Sequence, residues 1–445
     1  MKVVKRVICI AVLLFTSLGW YQYLNSAKSV DDAVFAALAG ADGSVEKRLY
    51  EQAIEYCREA IELQPDVGHY LKMCDIYKLF YESDKEPRVY ASFIRDMRAA
   101  ARAYPKNPVF WSAMVELHMG AERYKEAYSA VNEARSFGVR DALIEKRYLE
   151  LKYMVKLDYK TYYDFRTCLN GYISVASDPA KTQWIVINNG GSGNSGQYPF
   201  IGMLNDDGMG AYQTDEKEFR LLDRRRVSRG IMGVHDITDA GFYDEKTNYM
   251  PVKTGGVWRY MRPDGVTAPE SYEAAGGFVD GTAAVRSKGR WGLTDAGGDI
   301  EWLPDVEDIK FSLRGRHIEG NVIIAREAGK YGLYDKKFQR LNGFECDDID
   351  VCVDGGLIAF ADNGLWGFVN TKGVIAVEPR YHKAASFANG YAAVADSAGL
   401  WGFINSEYDL VIDHQYEYAH YFTKDGTCLV SDGDGKYRLL GFYFG

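Results

Sequence analysis

Seven histidines, at positions 69, 118, 235, 317, 382, 414 and 420, are the residues best suited to proton transfer or metal ligation near neutral pH. None falls in an H-E-x-x-H or H-x-H grouping, and no serine stands in G-x-S-x-G, so local spacing encodes neither a zinc site nor an activated nucleophile. His382 and His414 flank the tyrosine of a repeated unit, where a half-buried turn-side role is expected. Two acidic clusters, Asp347 with Asp348 and Asp350, and Asp432 with Asp434, offer oxygen ligands for calcium but lack the full D-x-[DN]-x-[DN]-G-x5-E loop. The run NNGGSGNSGQ, Asn188 to Gln197, invites comparison with a phosphate-binding loop, yet Tyr198 and Pro199 follow it where Lys-Ser or Lys-Thr would be needed. It reads as a linker. No catalytic residue, metal ligand or cofactor is therefore expected.

Composition narrows the partners. The chain has 445 residues and a formal charge of −9, with 53 basic against 62 acidic side chains. That balance argues against a nucleic-acid-binding surface. The local exception, Arg224 to Arg226 beside Asp223, reads as a solvated turn. Besides Cys9, cysteines stand at 57, 74, 168, 346, 352 and 428 with no C-x-x-C pair. Buried free thiols are the expected state, with a disulfide between Cys57 and Cys74 as the alternative.

The elements that would position any site fall into four stretches. Residues 1–28 form a membrane anchor or signal segment: Lys2, Lys5 and Arg6 precede the uncharged run Val7 to Leu24, which ends in Trp20, Tyr21 and Tyr23. An uncleaved anchor and a signal peptide cut near Ser17-Leu18-Gly19 both remain open. Either way the following domains are expected outside the cytoplasm, in the cell envelope, and in the periplasm of a Gram-negative host. Residues 31–175 read as helical, 188–198 as the linker and 199–445 as a β-repeat domain.

In the helical stretch, Tyr50 to Asp66 places Ala53, Ile54, Cys57, Ala60 and Ile61 at spacings of three and four before Pro65. Trp111 to Gly138 gives two helices split near Gly120, with Trp111, Ala127 and Ala134 in register. Over residues 45–140 this resembles the tetratricopeptide family, although Pro65 and Pro105 lie 40 apart where that family keeps 34. The resemblance implies stacked helical hairpins whose concave side takes an extended peptide or a partner helix.

After the linker the helical period vanishes. An aromatic residue preceded two positions earlier by glycine recurs as Gly256 and Trp258, Gly289 and Trp291, Gly329 and Tyr331, Gly364 and Trp366, Gly399 and Trp401, and Gly435 and Tyr437. Phe219 is a weaker start, and successive aromatic spacings are 39, 33, 40, 35, 35 and 36. The glycine before the aromatic is expected in a hairpin turn needing positive φ. The glycine after it, at Gly292, Gly332, Gly367 and Gly402, sits inside a strand, where a covering aromatic ring is the expected reason. Arg259 and Arg438 replace that glycine near the two ends of the array. Trp366 is expected to supply the packing mass.

These residues closely resemble the WG-repeat family of bacterial proteins. Trp366, Gly367, Phe368, Asn370, Gly373, Tyr381, Ala384, Phe387, Gly390, Ala392 and Val394 match its unit one for one, and Trp401, Gly402, Phe403, Asn405, Tyr416, Ala419, Phe422 and Gly426 repeat most of it. The resemblance implies a binding or scaffolding module with no defined reaction. With three or four short strands per unit, the expected fold is a six- or seven-bladed β-propeller, with an open β-superhelix as alternative. WIVIN, Trp184 to Asn188, and FIGML, Phe200 to Leu204, could complete a last blade. The expected function is an envelope-anchored interaction protein with a protein or glycan partner. The alternative is a hydrolase or ligand-binding enzyme with its site at the axis or in the interdomain cleft.

Overall fold

The computed structural model describes residues 26–166, 172–188, 196–205, 208–222, 228–229, 233 and 236–444. The membrane segment up to residue 25, Cys168, residues 189–195 of the glycine-rich run, the arginines at 224–226 and His235 lie outside the described residues. Among the described residues no helix is long and apolar enough to cross a membrane. Two compact units divide the chain between Met154 and Val155.

The first unit is helical: α1 over 26–46, α2 (Tyr50–Leu63), α3 (Val67–Ser83), α4 (Pro87–Ala103), α5 (Pro108–Gly120), α6 (Tyr124–Ser136) and α7 (Ala142–Lys152). Local sequence fixes the ends. Asp66, Asn107 and Asp141 cap α3, α5 and α7 by accepting from the N–H two residues on, and Pro87 and Pro108 open α4 and α5. Each helix packs on the next, and α5 also touches α3 and α7, so alternate helices share a layer. Ala53, Cys57, Ala60, Trp111, Ala127 and Ala134 are all buried, the small ones where neighbouring helices approach closely. A buried carboxylate lashes three helices together: Arg58 Nη2 and Tyr77 Oη donate to Asp96 Oδ2 at 2.6 and 2.7 Å, and Arg95 Nε donates to Oδ1 at 2.9 Å. Burial alone would raise the Asp96 pKa, but these donors outweigh it and hold the group below the usual carboxylate range.

The second unit is a propeller of eight blades. β1 (Val155–Leu157) precedes blade 1, which holds β2 (Asp164–Arg166), β3 (Tyr172–Ala176) and β4 (Trp184–Asn188). Blade 2 holds β5 (Phe200–Ile201), β6 (Gly210–Gln213), β7 (Phe219–Leu222) and β8 (Ser228–Arg229), and blade 3 holds β9 (Ile237–Ala240), β10 (Met250–Thr254) and β11 (Val257–Met261). Blade 4 runs through β12 (Ala274–Ala275), β13 (Thr282–Ser287), β14 (Arg290–Asp295) and β15 (Ile300–Trp302). Blade 5 adds a short extra strand: β16 (Asp308–Lys310), β17 (Ile318–Glu319), β18 (Val322–Glu327), β19 (Lys330–Tyr334) and β20 (Arg340–Cys346). Blade 6 is β21 (Asp348–Ile349), β22 (Ile358–Asp362), β23 (Leu365–Val369) and β24 (Ile375–Tyr381). Blade 7 is β25 (Lys383–Ala384), β26 (Ala392–Ala395), β27 (Trp401–Ile404) and β28 (Leu410–Tyr416). Blade 8 takes β29 (Tyr418–Ala419), β30 (Thr427–Ser431) and β31 (Arg438–Phe442), and β1 completes it.

That last pairing closes the ring. Val155, Lys156 and Leu157 lie opposite Phe442, Gly441 and Leu440, so the outer strand of the final blade comes from before the first one. Closure leaves no open end of the array to pair with other chains. It also puts sequence repeat and blade out of phase. The unit beginning at Trp366 contributes β23 and β24 to blade 6, then β25 and β26 to blade 7.

Three expectations are corrected. Eight blades stand where six or seven were expected, and Trp184 and Phe200 belong to two different blades. Trp184 begins a unit of its own, 35 residues before Phe219, but neither aromatic follows the glycine signature. Lysines hold the left-handed position instead, Lys181 at φ 57° and Lys217 at φ 67°. The helical region stops at Met154 and not at 175, because β1, β2 and β3 already belong to the propeller unit. The run expected as an interdomain linker joins two blades, and Tyr198 exchanges backbone hydrogen bonds with Trp184 at 2.8 and 2.9 Å.

Candidate functional site

Repeat residues divide into those that shape a blade and those that leave chemistry free. Gly256, Gly289, Gly329, Gly364, Gly399 and Gly435 all sit in turns with φ between 70° and 84°. At Asn363-Gly364 both residues have positive φ, the two-residue turn that matches strand twist. Trp291 and Tyr331 are buried, whereas Trp258, Trp366, Trp401 and Tyr437 are half-buried. Packing mass comes instead from the residue two further on: Phe368 is 0 % and Phe403 1 % exposed. The period-two alternation of a strand explains the exchange, since Trp366 and Phe368 share a face and only the latter is deep between blades.

Gly367 and Gly402 are covered by backbone and not by an aromatic ring. A Cβ on Gly367 would lie 2.4 Å from the Val377 carbonyl oxygen and 2.8 Å from Pro379 N, and one on Gly402 2.5 Å from the Ile412 carbonyl oxygen. Pairing jumps from Phe368 with Val377 to Trp366 with Tyr381, so the outer strand bulges onto the glycine. At Gly332 the Tyr334 ring is the nearest group, and at Gly292 Ile300 and the Glu301 carbonyl oxygen precede the Trp302 ring. At 438 the arginine lies opposite Val430 of β30, while β1 pairs only with Leu440 to Phe442 and Tyr162 bonds the preceding Tyr437.

A second pattern escaped the sequence reading. The acidic residue two positions before the inner-strand apolar residue accepts from the hairpin N–H of its own blade: Glu273 from Gly289, Glu307 from Gly329 and Asp347 from Asn363. Arg286, Arg326 and Lys330 pair with the same carboxylates. Asp347, Asp348 and Asp350 therefore go to separate partners, with Lys310 holding Asp348 at 2.8 Å. Asp432 and Asp434 are both taken by Arg438.

Polar groups gather on the inner strands, which line the axis of a propeller. Arg166 on β2 donates to Asp239 on β9 at 2.7 Å, and Lys181 pairs with Asp164 at 2.9 Å. Across blades 6, 7 and 8, Tyr421 Oη donates to both oxygens of Asp350 at 2.8 and 2.7 Å, and Ser386 N donates to Oδ2 at 2.7 Å. Burial pushes the Asp350 pKa up, with these bonds opposing it. Beside it, Tyr418 Oη lies 3.1 Å from His420 Nδ1, while Nε2 is buried with no partner. Burial drives the His420 imidazole down to about 4. The Phe165 ring stands 4.9 Å from both His420 and Tyr437.

In the helical unit, α3, α5 and the start of α7 frame an apolar groove of about 520 Å³. Tyr81, Phe93, Val109, Ala113, Leu117 and Leu143 line it. Lys78, Glu82, Glu116 and Asp141 stand at its edge. His118 is buried nearby on α5, bonded through Nδ1 to Tyr90 Oη at 2.6 Å and pushed down to about 4 by burial. Cys57 and Cys74 are free and buried, each thiol raised to about 11 by burial.

Strand order and closure define the class: a closed eight-bladed propeller following a helical unit. Within it, the family model described as WG containing repeat matches residues 366–395 and 401–437. No curated protein matches the chain. Among solved structures, BamB from Moraxella catarrhalis is similar over 65% of this chain and 98% of its own, at 13% identity and a TM-score of 0.43. The Pan2 WD40 domain of Neurospora crassa is similar over 55% of this chain and 88% of its own, at 12% identity and a TM-score of 0.33. At such scores the propeller rests on its own strand pairing.

Proposed function

We propose that this chain is a non-catalytic, envelope-anchored interaction protein, with the helical unit a divergent tetratricopeptide-like stack that takes an apolar segment of a protein partner. The observation that carries this reading is the groove across α3, α5 and α7, whose apolar floor stays open although the layer behind it is fully packed. The exposed side chain of Val109, 37% accessible, shows that this floor reaches solvent. The propeller supplies a second platform, for protein or glycan, and the charged and apolar N-terminal residues supply the export or anchor signal. At the axis burial raises the pKa of the Tyr418 and Tyr421 hydroxyls and so disfavours their ionised, nucleophilic form, which favours binding over hydrolysis there.

Val109→Arg tests the groove directly, because an exposed position tolerates the change while a guanidinium blocks an apolar floor. The full chain should recover a specific protein from envelope extract, and Val109→Arg should weaken that interaction by about tenfold or more. Val374→Arg, at a propeller position 49% exposed, should leave it intact. Equal recovery by Val109→Arg, or nothing above background with the native chain, would overturn the reading.

A further inference from the structure

Inner-strand carboxylates of this propeller mostly hold a lysine or arginine, with two exceptions, Asp308 and Asp350. Asp164 holds Lys181, Asp239 holds Arg166 and Asp348 holds Lys310. Asp308 accepts from Tyr331 Oη at 2.7 Å, with the Lys310 ammonium 4.7 Å from the centre of that ring. Asp350, one position past β21, has no lysine or arginine within ion-pair distance among the described residues. Lys383, on the neighbouring inner strand, makes no ion pair with it.

This is also the most deeply set of these carboxylates. Asp350 is half-buried, and desolvation by the surrounding protein is the largest influence on its carboxyl group. Tyr421 Oη, the Ser386 and Val351 amides and the Ser386 hydroxyl all bond the carboxylate, so its hydrogen bonds are met while its charge has no cation beside it. Around it the surface is aromatic and apolar. The His420 and Tyr421 rings are 4.9 Å apart, Tyr418 and Tyr437 5.6 Å, and Tyr421 packs with Val353 and Ala388. A buried anion without a cation is costly, and ring faces attract cations. Both properties select the same ligand chemistry. An anion is disfavoured, since the nearby basic groups Arg166 and Lys310 are already paired.

We propose that the axial cluster of Asp350, Tyr418, His420, Tyr421 and Phe165 binds a small organic ammonium, with the Asp350 carboxylate as counter-ion and the rings as the wall. It is independent of the groove in the helical unit, so either can fail without the other.

The probes are tetramethylammonium and n-butylammonium chloride, with n-butanol as the neutral control and sodium chloride for ionic strength. Titrated into the full chain and read by tyrosine fluorescence or calorimetry, at least one ammonium should bind saturably and n-butanol should not. Asp350→Asn keeps the size and the acceptor for Tyr421 but removes the charge. It should weaken ammonium binding by about tenfold or more while leaving the melting temperature equal or higher. Phe165→Leu should weaken tetramethylammonium binding by about threefold. Equal responses to ammonium and n-butanol, or no saturable response in the native chain at millimolar concentration, would overturn the proposal. Asp350→Asn that binds as tightly as the native chain would also overturn it.

Discussion

Phe368→Ala should destabilise the propeller by about 3–5 kcal/mol, whereas Trp366→Ala should cost only about 1–2.5 kcal/mol. The ranking inverts what the repeated W-G motif implies. Phe368 has no accessible surface and meets the Phe387 ring at 4.9 Å and the Tyr381 ring at 5.8 Å. Removing it empties a volume bounded by Val377, Ala384, Val394 and Ile404, where strands from two blades fix the walls and little collapse can follow. Trp366 is half-buried and packs only along the edge of that cluster. Urea titrations of both variants give the comparison. A larger loss for Trp366→Ala than for Phe368→Ala would mean that the tryptophan carries the blade interface after all.

Acid should weaken both units well above the range in which carboxylates titrate. Burial lowers the imidazole pKa to about 4 at His317 and His420 in the propeller and at His118 in the helical unit. For His317 the nearby Asp280 opposes that lowering only in part. A depressed base stays neutral in the fold while the unfolded chain binds a proton. These residues therefore contribute no pH dependence above about 6.5, and stability falls as pH drops from there toward 4. Each is worth roughly 2–3 kcal/mol over that interval. Asp350 acts in the opposite direction, since its raised pKa lets the folded chain take up a proton first. Three histidines outweigh it, and Asp96, held low, adds a further loss at more acidic pH. Unfolding midpoints at pH 7.5, 6 and 5 should fall progressively, and His317→Phe should flatten the propeller's share of the slope. A midpoint independent of pH between 7 and 5 would show that these imidazoles charge freely in the fold.

How much of this was legible in the sequence depended on which physical signal each residue leaves. The turn glycines were readable because positive φ selects glycine, as at Gly364 and Gly399. The same reasoning left Phe219 a weak start and Trp184 without one, because Lys217 and Lys181 take that conformation there and a lysine gives no warning of it. Gly367 was rightly marked as a point of close approach, but composition could not tell a ring from a bulged backbone. The carboxylate caps at Glu273, Glu307 and Asp347 recur at a fixed offset and were findable. They alternate between Glu and Asp beside variable residues, which blurred the pattern. Asp350 and Tyr421 are 71 residues apart and meet only because the inner ends of blades 6 and 8 come together at the axis, so no local window could pair them. The domain boundary moved for the same reason. Val155, Lys156 and Leu157 have their partner nearly the whole β domain away.

Closure by β1 is what turns an array of repeats into a ring with an axis, and a cross-link tests it most directly. Val155 and Phe442 are strand partners, within the Cα separation a disulfide needs. The five cysteines described are all buried, so an introduced pair is the exposed one. In the full chain carrying Val155→Cys and Phe442→Cys, a closed ring predicts a disulfide in high yield under mild oxidation, identified by peptide mass spectrometry and accompanied by a higher melting temperature. An open superhelix would hold the two positions far apart and leave both thiols free, and that result would contradict the closed eight-bladed ring.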